Sequence, residues 1–208
     1  MTYETWIAFA IASAVVVLIP GPNIVLTVSY AIRDGKRSGL ATIPGVVIGA
    51  FIAMSVSLLG AGALLAASSF LFTLLKLVGA LYLVWLAYSL WVAPVERITV
   101  DGNAKAKPLD SLFWQSFLIS VLNPKGPAFY IAFVPQFVNP TESSLGQFSV
   151  LIATFLIVAT INSLFWLFFA SGMRAHFQNP RAMRILNRLG ASCLFAAGIM
   201  TVRTARAA

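Results

Sequence analysis

Six apolar runs, each near the roughly 20 residues a helix needs to cross a bilayer, leave this chain few folds to choose from. They are Trp6 to Tyr30, Thr42 to Ala66, Phe70 to Val92, Ser111 to Val138, Gln147 to Met173 and Leu189 to Val202. Of the 208 residues, 60% are hydrophobic and 10% charged, more apolar surface than a water-soluble domain of this size can hide. The expected class is an all-α integral membrane protein forming one transmembrane domain over residues 1–208. Its net charge of +8 does not signal a nucleic-acid partner, because the basic residues sit in short connectors rather than on one soluble face. A lone Cys193 gives no internal disulfide, and a lone His176 in a basic connector gives no histidine metal site. No cofactor is implied. The N-terminus lacks a basic n-region, so the first run reads as a span that stays in the membrane.

Charge in the connectors orients the chain. Arg33, Lys36 and Arg37 lie in the first, Arg97, Lys105 and Lys107 in the third, and Arg174, Arg181, Arg184 and Arg188 in the fifth. The second connector, Ala67-Ser68-Ser69, is uncharged and short enough for a tight hairpin, and the fourth carries only Glu142. The positive-inside rule then puts the odd connectors in the cytoplasm and both termini outside, with Arg203 and Arg206 against the trend. The third connector, about 93–110, contains Pro94, Gly102, Asn103 and Pro108 and reads as a cytoplasmic linker between halves of about 1–97 and 106–208. Three spans per half force the second half to enter the membrane inverted.

Two spans are interrupted at corresponding places. Ile19-Pro20-Gly21-Pro22-Asn23 breaks the first and Asn123-Pro124-Lys125-Gly126-Pro127 the fourth, and laying Gly21 on Gly126 brings Trp6 onto Ser111. A proline inside a helix has no N–H to donate and clashes with the preceding turn, costing about 3 kcal/mol. In hydrocarbon the carbonyls it orphans cannot turn to water. Here those carbonyls are Val16 and Leu18 in the first span, Ser120 and Asn123 in the fourth. Each break also starts a half-helix whose first N–H groups are unpaired and carry partial positive charge. Acceptors for an ammonium and donors for a carboxylate therefore lie side by side, which is what a zwitterion requires. Interrupted helices at matching positions of two inverted repeats mark the midplane site of a secondary transporter. The expected substrate-binding residues are Pro20, Gly21, Pro22, Asn23, Asn123, Pro124 and Lys125, with Lys76 of the third span beside them. An ordinary pair of kinks, satisfied by neighbouring serines or water, is the bland alternative.

Lys125 lies deep in its span, where an unpaired ammonium costs about 2.5 kcal/mol or more, so it is expected to face a cavity. Lys76 is as well placed to snorkel to the surface as to bind ligand. Glu4, Asp34, Glu96, Asp101, Asp110 and Glu142 all lie outside the middle of any span, so a midplane carboxylate relay is absent and the coupling candidates are Asp34, Lys125 or a proton carried by the substrate. Asn162, mid-span in the fifth run, is read as interhelical glue. Gly45, Gly49, Ala53, Ser57 and Ala61 recur every fourth residue, a stripe that lets another helix approach closely or supports a homodimer. Trp6, Trp85, Tyr88 and Trp91 suit interfacial anchoring, and the basic connectors suit contact with anionic lipid headgroups.

Taken in order, Pro20-Gly21-Pro22-Asn23, Gly35-Lys36-Arg37-Ser38-Gly39, the stretch from Lys76 to Leu86, Asn123-Pro124-Lys125 and Phe133-Val134-Pro135-Gln136-Phe137 resemble the lysine exporter superfamily, and most of all its homoserine/threonine exporter branch. The resemblance implies a bacterial inner-membrane exporter of small amino acids or close derivatives, energised by proton antiport through alternating access. Family members vary after Pro-Gly-Pro, some carrying an acidic residue where this chain has Asn23. A non-transporting scaffold would explain the small-residue stripe but not two matched interruptions. A membrane-embedded enzyme is disfavoured because the chain has no Gly-x-Ser-x-Gly, His-Glu-x-x-His or paired intramembrane aspartates.

Overall fold

The chain begins with a helix that stops where the prolines begin. In the computed structural model, which describes residues 1–18, 21–92, 107–123, 125–139, 142–177 and ten positions between 181 and 199, α1 runs Tyr3–Leu18 and α2 runs Pro22–Asp34. Their axes are bent by 54°. α3 (Lys36–Ala67) and α4 (Ser69–Val92) follow, with Ser68 alone between them, so the break between the second and third runs falls within the short connector expected at 67–69. The fourth run is also split, into α5 (Leu109–Leu122), α6 (Lys125–Phe133) and a 3-10 turn (Val134–Phe137). α7 runs Ser144–Phe177. Pro20, Pro124, linker residues 93–106 and most of the sixth run lie outside the described residues, as do the side chains of Lys76 and Lys125.

α3 over Lys36–Ala63 and α7 over Ser144–Phe169 are each long and apolar enough to cross a bilayer, and the bent pair α1–α2 makes a third candidate span. This is an all-helical membrane protein with several spans. Exposed apolar side chains such as Phe70, Leu81, Ile157 and Ile161 suit a hydrocarbon surrounding, whereas Phe9, Met54, Leu58, Phe129 and Leu151 are buried between helices.

The first connector differs from its expected form. Lys36 and Arg37 open α3 rather than lying in a loop, and α2 passes to α3 through Gly35 alone. Gly35 has φ 88° and ψ 168°, a backbone region essentially restricted to glycine. Its carbonyl accepts Ser38 N–H at 3.1 Å and Gly39 N–H at 3.4 Å, so the reversal also starts the next helix.

The small-residue stripe on α3 is a packing face within the chain. A Cβ on Gly45 would lie 2.3 Å from the Phe113 carbonyl oxygen, and one on Gly49 would lie 2.8 Å from that of Phe117. α5 therefore sits nearly backbone to backbone on α3. Two rungs cross this contact four residues apart: Ser116 Oγ donates to the Thr42 carbonyl and Ser120 Oγ to the Val46 carbonyl, both at 2.9 Å. Trp6, expected as an interfacial anchor, donates its indole N–H to Thr154 Oγ1 at 2.9 Å, and the Met1 ammonium pairs with Glu142. Trp85, Tyr88 and Trp91 are exposed, in keeping with an anchoring role.

Candidate functional site

Both interruptions open onto one cavity of about 110 Å³. Gly21, Asn23 and Ile24 reach it from the first break, and Asn123 and Gly126 from the second. Val46 and Ala50 of α3, and Phe155, Ala159, Asn162 and Ser163 of α7, close the sides, with Phe129 and Tyr130 of α6. No charged side chain lines it among the described residues. The walls are apolar and aromatic, and the polar groups are amides, a serine and a tyrosine. That is the usual make-up of a small-molecule pocket.

The first break supplies donors. Gly21 is the N-cap of α2, no side chain caps it, and Pro22 follows at the first helical position. The first helical bond runs from Val25 N–H to the Gly21 carbonyl at 3.0 Å. Asn23 and Ile24 N–H are thus left without an intrahelical acceptor, at the positive end of the helix dipole. The second break is less open than expected. Asn123 is extended, with φ −69° and ψ 110°, but its carbonyl accepts Gly126 N–H at 3.2 Å rather than standing free. Lys125 is the first residue of α6.

The side chains of the cavity are held by bonds between elements distant in sequence. Asn23 Nδ2 donates to Ser120 Oγ at 3.3 Å, while Asn23 Oδ1 is buried with no partner among the described residues. Asn162 Nδ2 donates to the Val17 carbonyl at 2.8 Å, so the interhelical glue expected of Asn162 is real. It acts on the last turn before the first break. Thr27 Oγ1 donates to the Asn23 carbonyl at 3.0 Å and meets Thr42 Oγ1 at 2.7 Å, fixing α2 against α3 just below the cavity.

Sequence reasoning named Ser120 for its carbonyl but not for its hydroxyl, and did not single out Tyr130, Phe129, Phe155 or Ser163. Ser116 and Ser120 carried a usable signal, because their spacing of four matches that of Gly45 and Gly49. A buried tyrosine or phenylalanine in an apolar span carries none.

Asp34 lies at the far end of α2 from the cavity, as its last residue. Its side chain is only 5% exposed and takes two bonds from Arg33, 2.8 and 2.6 Å long. The guanidinium beside it holds the carboxyl below the usual carboxylate range, although burial opposes this. Such a group is ionised at neutral pH. With the folded value below the unfolded one, the pair's contribution is complete above the unfolded value and is lost as pH falls through the folded one. Asp34→Asn is therefore expected to lower the melting temperature equally at pH 7 and pH 6, with the gap closing only in stronger acid. A gap that closes between pH 7 and 6 would refute this pairing. Beside the pair, Tyr30 donates its hydroxyl to Gln115 Oε1 at 2.9 Å, and Lys107 reaches the same oxygen at 3.1 Å.

Comparison with known proteins matches residues 14–204 to the model of the LysE type translocator family. The chain belongs to that family. Its members are translocators, so the protein is a transporter rather than an enzyme. It is similar to a membrane protein of Vibrio cholerae, 32% identical with all of both chains aligned. It is also 30% identical to the homoserine/homoserine lactone efflux protein of Salmonella typhimurium, over 96% of this chain and 97% of that one. A leucine efflux protein of an Enterobacter strain is 28% identical over 78% of this chain and 77% of the other. No solved structure matches the chain.

Proposed function

We propose that this LysE type translocator exports small neutral amino acids or close derivatives, of the homoserine or leucine kind, by secondary active transport. The observation that carries the reading is the convergence of both helix breaks on one cavity that has no charged wall among the described residues. Donors from the α2 N-terminus would take the carboxylate, amide oxygens the ammonium, and the Phe129–Tyr130–Phe155 wall an apolar side chain. The similarity to proteins named for efflux of homoserine, its lactone and leucine supports that substrate range. A lactone has no free carboxylate, so a site serving both homoserine and its lactone must draw on the amine they share.

The proposed architecture is six spans in two inverted three-helix repeats, the first and fourth interrupted, in the bacterial inner membrane with both termini outside. The break positions support it. Under the 105-residue offset that lays Gly21 on Gly126 (126 − 21), the end of α1 at Leu18 falls at 123, beside the end of α5 at Leu122. Alternating access would rock one repeat against the other around the cavity. Within this reading Pro20, Gly21, Pro22, Asn23, Asn123 and Pro124 shape the site. Lys125, the ion-paired Asp34 or a proton carried by the substrate supplies the coupling, and Lys76 is an accessory contact.

Counterflow in proteoliposomes, with labelled L-homoserine, L-leucine and L-lysine, tests the proposal. The two neutral amino acids are expected to exchange well above L-lysine, and an imposed pH gradient should drive net movement of the neutral pair. Absence of exchange for both, with correctly inserted protein, would overturn the reading.

A further inference from the structure

Hydrogen-bond logic fixes which way two cavity amides point. The Val17 carbonyl can only accept, so the Asn162 atom 2.8 Å from it must be the NH₂ group, and Oδ1 occupies the other arm. Ser120 Oγ gives its one proton to the Val46 carbonyl at 2.9 Å, so toward Asn23 it can only accept. Asn23 must therefore also present NH₂ to Ser120, leaving its Oδ1 without a donor. These orientations follow from the partners and do not depend on telling amide nitrogen from oxygen.

Asn162 is nine-tenths buried, with 8% exposure, and its side chain's hydrogen bond among the described residues is the donation to Val17, which spends the NH₂ end and not the oxygen. Asn162 and Asn23 line the same cavity, one from α7 and one from the first break. The Asn23 Oδ1, buried without a donor, costs about 1–3 kcal/mol unless something supplies an N–H group. No lysine or arginine does so among the described lining residues.

We infer that Asn162 is a specificity-determining residue: with Asn23 it forms a subsite for a primary ammonium, each amide oxygen accepting one N–H. This assignment rests on the amino-acid reading of the cavity and adds to it the end of the substrate that is recognised. It also gives the Asn162–Val17 bond a second purpose. By holding the last turn of α1, that bond aims the amide oxygen as well as tying α7 to the break.

The test separates N–H donors from charge. L-leucine and L-homoserine are compared with their N,N-dimethyl and N,N,N-trimethyl forms as competitors of labelled L-leucine and L-homoserine in counterflow. All three forms are zwitterions, carrying three, one and no N–H respectively. For the wild-type protein, apparent affinity should fall stepwise along the series, with about a 10-fold loss or more for each amide bond to the charged group. Asn162→Leu, close to isosteric, should weaken the parent amino acid and shrink its advantage over the trimethyl form by about 10-fold or more. A purely structural pin would weaken every competitor alike and leave the ratio unchanged, which would overturn the assignment of Asn162. Equal competition by the trimethyl form in the wild type would overturn it without need of a variant. Failure of the wild type to exchange either labelled amino acid removes the underlying functional reading, and this one with it.

Discussion

Asn23→Leu is expected to lower counterflow of any neutral amino acid the wild type carries by at least about 10-fold, with normal amounts of protein in the membrane. The side chain of Asn23 has two ends: Nδ2 tethers α2 to Ser120 of α5 at 3.3 Å, and Oδ1 is buried without a partner in a residue that lines the cavity. Leucine keeps the volume and removes both. The tether is long and neutral, worth about 1 kcal/mol or less, whereas a hydrogen bond to an ammonium is worth about 1.5–3 kcal/mol. The ligand effect therefore outweighs the structural one. Asn23→Asp separates them further. It gives up the donor to Ser120 but keeps an acceptor and adds negative charge, so preference should move from neutral toward cationic amino acids such as L-lysine. Unchanged transport by Asn23→Leu, or an Asp variant as inactive as the Leu one toward every amino acid, would contradict a ligand role for Oδ1.

The two helix breaks were legible in the sequence because proline acts on its own backbone: Pro22 opens α2 wherever the rest of the chain goes. The repeat pattern leads to the expectation that both breaks serve one site, but the side chains that join them there were not legible. That joining depends on contacts such as Asn162 to Val17, 145 residues apart, and Asn23 to Ser120, 97 apart. The first connector misled for a different reason. Basic residues mark where the chain meets water, not where a helix ends, so Lys36 and Arg37 were free to begin α3 once Gly35 had made the turn. The conformation of Gly35 needs a glycine, but nothing nearby in the sequence says which glycine of the Gly35 to Gly39 segment turns. Gly39 instead lies against Leu167, Ala31 and the Thr27 carbonyl. Charge pattern thus carries no information on where the helix ends, while the reversal depended on backbone conformation.

The same limit applies to the stripe on α3, whose partner the sequence left open between another helix and a second copy of the chain. Because α5 packs closely on the stripe at Gly45 and Gly49, Gly45→Ala is expected to destabilise the protein by about 3 kcal/mol, the upper end for overpacking. The new methyl would lie 2.3 Å from the Phe113 carbonyl oxygen and 2.3 Å from Ser116 Oγ. A side chain could rotate away, but a helix backbone cannot, so α3 and α5 must separate. Separation stretches the Ser116–Thr42 and Ser120–Val46 rungs, and in hydrocarbon the α3 carbonyls that lose these donors find no water. Ser116→Ala should not rescue the variant, since it leaves the carbonyl in place. Gly60→Ala, on the same helix with nothing within 4 Å of the added carbon, should melt like the wild type. Melting temperatures in detergent for the three variants check this. A Gly45→Ala protein as stable as Gly60→Ala would mean that α3 and α5 do not pack backbone to backbone. Because Ser120 is also the partner of Asn23, loosening this contact should weaken substrate exchange even below the melting temperature.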